Sequence, residues 1–422
     1  MIAEVTYPGG PIKATIKLPA SKSISNRVLI IHALGKLHAS IAGLSEAADT
    51  LQMRDALLSR DAVVDAGDGG TTLRFLMAYY CATGKAVTLT ASAAMKKRPV
   101  VQLVEALRQL GASVEYADED GKLPVIIGSR TLTGKTIVVD GAVSSQFISA
   151  LMLIGPYIPG GITIEITGEV LSVPYIKMTQ SVMEYFGAQV HFDNAVVHIN
   201  EGAYQNRDIL IEPDWSAASY WYEMAALNDQ AEIHLQGLSR TSLQGDAVIA
   251  AMMTRLGVES VFSDATGCTL KHIPYFELPD YFSDDFTGCP DLAPAVAVTC
   301  AGLNLTADLH GLKNFRLKES DRAAALQREL YNLNVNTDFC GGSKFKLYRG
   351  KGIKNYSRPL KAYNDHRIAM ALAPVALKTG KVFIEDCEVV EKSYPGFFED
   401  LSKAGFQIII HPAKEIISAV QR

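Results

Sequence analysis

The chain has 422 residues, too many for one ordinary core, so its length predicts at least two domains. Its 48% hydrophobic and 20% charged content is that of a folded globular protein, and a net charge of −5 excludes a broad nucleic-acid surface. Six scattered cysteines with no CxxC pair, apolar runs too short for a membrane span, and Glu4 and Pro8 where a secretory apolar region would stand predict a cytoplasmic protein without disulfides or zinc.

The first informative stretch is Ser21-Lys22-Ser23-Ile24-Ser25-Asn26-Arg27. Pro19 before it and the apolar residues 28–31 after it place its hydroxyls and cations at a helix start. Unpaired N–H groups and the positive end of a helix dipole make such a start an anion site. Next, Asp65-Ala66-Gly67-Asp68-Gly69-Gly70-Thr71-Thr72-Leu73-Arg74 joins a short strand to a helix over 73–80. It lacks the third glycine of a dinucleotide fingerprint, but a Gly-rich turn still offers backbone N–H groups to an anion. Met95-Lys96-Lys97-Arg98-Pro99 puts three cations ahead of a helix over 100–110, with Pro99 in its first turn. Residues 128–136 end like a phosphate loop but run into a strand over 137–139, which excludes an NTPase. Val143-Ser144-Ser145-Gln146-Phe147 heads a helix with hydroxyls and an amide, and Ser172 and Tyr175 flank Pro174 at the next helix start.

The second half carries the acids. Asp291 follows Pro290 at the entrance to an apolar helix over 292–301. Lys318-Glu319-Ser320-Asp321-Arg322 is dense in charge, and on a helix Lys318 and Arg322 would share a face. Tyr363-Asn364-Asp365-His366-Arg367 precedes an apolar helix over 368–377, and Glu391-Lys392-Ser393-Tyr394-Pro395 precedes the last one. Any one of these is equally an ordinary cap or a solvated face. So many recurrences of the same chemistry at helix starts predict a coordinated set of anion sites.

A repeat underlies them. Amphipathic helices end at Gly111, Gly187, Gly257, Asn334 and Gly405, positions 76, 70, 77 and 71 residues apart, and each is followed by an alternating strand. Gly and Asn suit a left-handed helix C-cap. One period reads strand, helix, strand, helix, strand, strand, with a strand over 161–166, a helix over 176–186 and a hairpin of 189–192 with 196–199 around Asp193-Asn194. A weaker sixth copy ends near Ser59-Arg60-Asp61. The predicted fold is therefore α/β: two domains, each of three βαβαββ repeats, with apolar helices packed inside a shell of small mixed sheets. Pro19 and Pro213 break the pattern, so the domains are expected to be 1–18 plus 216–422, and 19–215, with the N-terminal strand belonging to the C-terminal half.

These residues resemble the enolpyruvyl transferases, and among them the 5-enolpyruvylshikimate-3-phosphate synthases, over essentially the whole chain. The resemblance rests on Lys22-Ser23-x-Ser25-x-Arg27, Gly70-Thr71 with Arg74, Arg98-Pro99, Ser144-Ser145-Gln146, Lys318-Glu319-x-Asp321-Arg322, Asn364-Asp365-His366-Arg367 and Lys392. It implies the two-domain, three-repeat fold and a reaction that joins shikimate 3-phosphate to phosphoenolpyruvate (PEP) and releases phosphate, with no cofactor and no metal. It further implies a monomer whose partners are those two small molecules, with neither nucleic acid nor membrane. Lys22, Ser23, Arg27, Ser144, Ser145, Gln146, Ser172, Tyr175, Asp291, Asn314 and Lys318 would hold shikimate 3-phosphate. Lys22, Gly70, Arg98, Gln146, Arg322, Arg367 and Lys392 would hold PEP. The two substrates carry about five to six negative charges near neutral pH, which calls for many fixed cations. Asp291 would take the attacking hydroxyl's proton, while Glu319 with Lys22 would deliver one to the PEP carbon. Three positions depart from the family pattern: Asp68-Gly69 stands for the usual Asn-Ala, and Phe75 for a Pro. The sister enzyme acting on UDP-N-acetylglucosamine is the alternative, but it carries Asn where this chain has Ser23 and a reactive loop Cys where this chain has only Cys81 in an apolar helix.

Overall fold

The computed structural model describes residues 1–142 and 144–412. A complete repeat begins with two parallel strands joined through a helix and ends in an antiparallel hairpin. Val63–Asp65 leads through helix Gly70–Thr83 to Val87–Thr90, which pairs parallel to it. Helix Val101–Gln109 then leads to Val114–Tyr116 and Val125–Ile127, and the last strand inserts antiparallel between its neighbours. The next repeat copies this register: Thr136–Asp140 pairs parallel with Ile162–Thr167, and the hairpin Val190–Asp193 with Val196–Ile199 closes the sheet. Asn194 and Ala195 turn that hairpin with φ of 45° and 64°, the left-handed geometry of a tight two-residue connection. The helix-ending positions of the sequence repeat share one conformation: φ is 93° at Gly111, 87° at Gly187, 89° at Gly257, 69° at Asn334 and 95° at Gly405.

The chain divides into two units. One comprises Met1–Pro19 with Glu212–Arg422, the other Ala20–Ile211, and each has its own apolar core. In the first, the strand Ile2–Thr6 lies between Lys381–Glu385 and Gln407–His411, antiparallel to both. Lys13–Ile16 pairs parallel with Glu232–Gln236, so this unit holds three four-stranded sheets. The second unit has two four-stranded sheets and a reduced third, Ile41–Ala42 beside Ile209–Leu210. That third repeat keeps its helices, Lys22–Gly35 and Ala48–Leu58.

The first helix of each repeat is buried nearly all round. Ser145–Ile154 and Ala293–Gly302 each bury nine of ten residues. The second helices, such as Val101–Gln109, are amphipathic and half exposed. The expected helix over 368–377 is interrupted. It is His366–Leu372, a 3-10 turn Ala373–Val375 and the short helix Ala376–Thr379, because Pro374 cannot donate the next N–H. Pro99 also stands before the N-cap Val100 and outside the first turn expected for it. Among the described residues no helix is long and apolar enough to cross a membrane.

This wiring explains where chemistry collects. A helix that follows a strand of a parallel pair starts at the strand's carboxyl end, so helix N-termini gather along one edge of each sheet.

Candidate active site

In the unit Ala20–Ile211, helix Lys22–Gly35 is capped by Ser21, whose Oγ accepts from the N–H of Ile24 at 3.4 Å. Lys22 at its first position reaches Asp49 at 2.9 Å. Arg27, one turn on, is buried and gives its protons to neutral oxygens: Thr179 Oγ1 at 2.7 Å, the Ser23 carbonyl at 2.8 Å, Ser149 Oγ at 3.1 Å and the Tyr175 carbonyl at 3.2 Å. Burial pushes its pKa down to about 10, which leaves it charged at neutral pH. No carboxylate among the described residues pairs with Arg27, so the helix start carries a positive charge its own unit does not cancel there.

Helix Gly70–Thr83 builds the second anion cradle. A Cβ at Gly70 would stand 2.5 Å from Arg74 Nη1 and 2.7 Å from Arg98 Nη1, so only glycine lets both guanidiniums approach this helix start. Arg74 donates to Gln146 Oε1 at 2.7 Å and to the Pro99 carbonyl at 3.2 Å, with its guanidinium over the Phe147 ring. Gln146 in turn sits on the first turn of Ser145–Ile154, where Ser144 is the N-cap and accepts the Gln146 N–H at 3.3 Å. Val143 of that segment lies outside the described residues. Asp68, a carboxylate beside an anion cradle, accepts the Ser92 hydroxyl. Ser172 adopts a left-handed φ of 57° ahead of helix Val173–Tyr185, and this kink brings the Tyr175 carbonyl to Arg27.

The other unit interleaves acids with cations. Asp291 lies in the 3-10 turn Pro290–Leu292 and meets three cations: Arg367 Nη2 at 2.8 Å, Arg322 Nη1 at 2.9 Å and Lys318 Nζ at 3.5 Å. Burial alone would raise its pKa; Arg367, Lys318 and Arg322 overturn that and hold it well below the usual carboxylate range. Arg322 also donates to Glu319 at 2.7 Å and to Asp365 at 2.8 Å. Burial works against its charge, but Asp365, Glu319 and Asp291 more than offset that and keep it protonated. Asp365 is fully buried; it caps helix His366–Leu372 through the Arg367 N–H at 3.0 Å and accepts Ser320 Oγ at 3.0 Å. Lys392 ends a 3-10 turn and donates to the Asn364 carbonyl at 3.1 Å. Asn314 caps the 3-10 turn Phe315–Leu317, with its Oδ1 buried and without a hydrogen-bond partner among the described residues.

Within each unit the expected residues therefore converge: Lys22, Ser23, Arg27, Gly70, Arg98, Ser144, Ser145, Gln146, Ser172 and Tyr175 on the helix starts of one, Asp291, Lys318, Glu319, Arg322 and Arg367 in one charged cluster of the other. Sequence reading missed the supports: Asp49 for Lys22, Thr179 and Ser149 for Arg27, Asp365 for Arg322. Asp49 and Asp365 at helix starts were a local signal; Thr179 and Ser149 gave none, since they lie 152 and 122 residues from Arg27.

Solved structures share this architecture. EPSP synthase from Acinetobacter baumannii superposes with a TM-score of 0.76 over 97% of this chain and 100% of that one, at 20% identity. The enolpyruvyl transferase NikO from Streptomyces tendae does so with a TM-score of 0.74 over 97% and 99%, at 16% identity. The fold is thus that of the enolpyruvyl transferases. Sequence narrows the class. The 3-phosphoshikimate 1-carboxyvinyltransferase of Bacteroides fragilis is 43% identical over 94% of this chain and 96% of its own length, and that of Haemophilus influenzae is 30% identical over 94% and 97%. The model of the EPSP synthase family (3-phosphoshikimate 1-carboxyvinyltransferase) matches residues 6–59 and 57–401, and the chain belongs to that family.

Proposed function

We propose that Asp291, Glu319 and Lys22 carry the proton transfers of the family's reaction, while cations of both units hold its substrates. The chain is an enolpyruvyl transferase: it moves the enolpyruvyl group of PEP to a ring hydroxyl of shikimate 3-phosphate and releases phosphate. The observation that supports these roles is Asp291 bound to Arg322, Arg367 and Lys318.

A carboxylate held so firmly ionised is a weak base at neutral pH. Incoming phosphate and carboxylate groups compete for the same three cations, and every contact they take relieves Asp291. Its proton affinity therefore rises when the hydroxyl it must deprotonate has arrived. Glu319, on the far side of Arg322, and Lys22 would give a proton to PEP C3 and take it back when phosphate leaves. Lys22, Gly70, Arg98, Gln146, Arg322, Arg367 and Lys392 would hold PEP, the three guanidiniums gripping carboxylate and phosphate with two bonds each. Lys22, Ser23, Arg27, Ser144, Ser145, Gln146, Ser172, Tyr175, Asp291, Asn314 and Lys318 would hold shikimate 3-phosphate. We take the two units, expected as 1–18 plus 216–422 and 19–215, as the domains, with the boundary moved ahead of helix Trp215–Leu227, and place the enzyme in the cytoplasm as a monomer, in keeping with its unpaired thiols.

Phosphate release from PEP, with shikimate 3-phosphate or UDP-N-acetylglucosamine as acceptor, tests the assignment. Release with the former alone is expected; release only with the sugar nucleotide would overturn it.

A further inference from the structure

Behind Asp291 lies a second buried carboxylate that the reaction scheme does not use. Asp246 sits in the 3-10 turn Gly245–Val248, is 3% exposed, and accepts the hydroxyl proton of Ser216 on Oδ2. Its Oδ1 has no hydrogen-bond partner among the described residues. Ser216, in the first turn of helix Trp215–Leu227, has spent its one proton on Asp246, so its oxygen can only accept from Arg367 Nη2 at 3.5 Å. The same Nη2 donates to Asp291 at 2.8 Å. Four residues from four separate segments thus form one line: Asp246, Ser216, Arg367, Asp291.

We propose that Asp246, acting through Ser216, is a positioning residue for Arg367: ionised, it fixes Ser216 as an acceptor and acts as a counter-charge that lowers the guanidinium's affinity for the anionic substrate; protonated, it releases that hold. This rests on the assignment of Arg367 to PEP binding. With Asp246 ionised, Arg367 stands between two carboxylates, and an incoming anion must compete with both. With Asp246 neutral, the Ser216 hydroxyl is free to turn, one negative charge is gone, and the anion meets a less compensated cation.

The surroundings set where the switch falls. Burial raises the Asp246 pKa to about 6, and Asp291 and Asp214 push the same way; Arg367 and the Ser216 hydrogen bond oppose them. Asp291 comes from the turn Pro290–Leu292, Arg367 from helix His366–Leu372, and Asp214 is the N-cap of helix Trp215–Leu227. The neighbouring Cys289 thiol, held up by burial and then by Asp246, stays neutral.

The test is KM for PEP and kcat from pH 5 to 8 for the wild type, Asp246→Asn and Ser216→Ala. Comparison at equal pH cancels the titration of PEP itself. Asp246→Asn keeps an acceptor for Ser216 but cannot ionise. Above pH 7 its KM should lie about threefold to tenfold below wild type, with kcat little changed, and the two should converge near pH 5. In Ser216→Ala the carboxylate loses its one hydrogen bond, so the pH at which KM changes should move upward. A wild-type to Asp246→Asn ratio of KM that is the same at pH 5 and pH 8 overturns the proposal. So does a Ser216→Ala profile that coincides with wild type, which keeps the idea open to refutation if Asp246→Asn fails to fold. Absence of wild-type turnover of PEP with shikimate 3-phosphate would instead count against the assigned reaction.

Discussion

Arg27 and Arg322 are both buried guanidiniums in an apolar α/β unit, yet they are held in opposite ways. Arg27 is solvated by two hydroxyls and two carbonyls, none of them charged. Arg322 is bonded to three carboxylates, Asp291, Glu319 and Asp365. The first arrangement leaves a net positive charge available to an anion. The second becomes balanced only when Arg367 and Lys318, which also pair with Asp291, are counted against the three carboxylates. One arginine is thus held by neutral oxygens and the other by carboxylates, and the difference lies in the partners rather than in the arginines.

The sharpest way to break that contrast is to remove the proposed base. Asp291→Asn keeps shape and most hydrogen bonds but cannot take a proton, so kcat should fall by about 10²–10⁴-fold. KM for both substrates should change far less, because binding rests on the cations. Near-normal turnover would strip Asp291 of the base role.

Next in size is the support beneath the acids. Asp365→Ala leaves Arg322 buried without its closest fully buried counter-ion and removes the N-cap of helix His366–Leu372. Denaturant unfolding should show a loss of about 3–5 kcal/mol. An unchanged midpoint would mean that Glu319 and Asp291 suffice, contrary to the view of Asp365 as the anchor.

In the other unit the equivalent support is a hydroxyl. Thr179→Val keeps volume but leaves Arg27 Nε without its 2.7 Å acceptor, and about 1.5–3 kcal/mol of stability should be lost. A loss as large as that of Asp365→Ala would erase the distinction between neutral and charged support.

A third buried charge-bearing group sharpens the rule by failing it. Glu223 on helix Trp215–Leu227 is fully buried, and neither carboxyl oxygen has a hydrogen-bond partner among the described residues. With neither neutral donors nor a cation to stabilise the anion, burial pushes its pKa well above the ordinary 4.5. The folded form thus keeps a proton that the unfolded chain gives up above about pH 4.5, so Glu223 destabilises the fold increasingly as pH rises from there. Glu223→Gln should match wild-type stability near pH 4 and exceed it progressively toward neutrality. A stability difference that does not change with pH would show that Glu223 is ionised in the fold.

Much of the fold was legible because its signals are local. The 70-to-77-residue spacing of Gly111, Gly187, Gly257, Asn334 and Gly405 reflects a left-handed cap that few side chains tolerate, and every one of those positions has φ above 60°. The candidate site's cations were legible for the same reason, since Lys22, Arg98 and Arg322 sit within a turn of a helix start that Pro, Ser or Asp announces. Less legible were changes of degree, such as the break at Pro374 and the sheet reduced to Ile41–Ala42 with Ile209–Leu210. Apolar periodicity is nearly silent on two-residue strands.

By itself, then, the sequence determined the repeat, the apolar inner helices and the placing of cations at helix starts, because caps and turns depend on neighbours a few residues away. Only the tertiary structure decided what each charge faces. Thr179 and Ser149 reach Arg27, and Arg367 is shared between Asp291 and Ser216, across 76 to 152 residues of chain. Electrostatic energy falls with distance in space and is indifferent to distance along the chain. Whether a buried arginine attracts an anion or steadies an acid was therefore settled by which helices came to lie side by side.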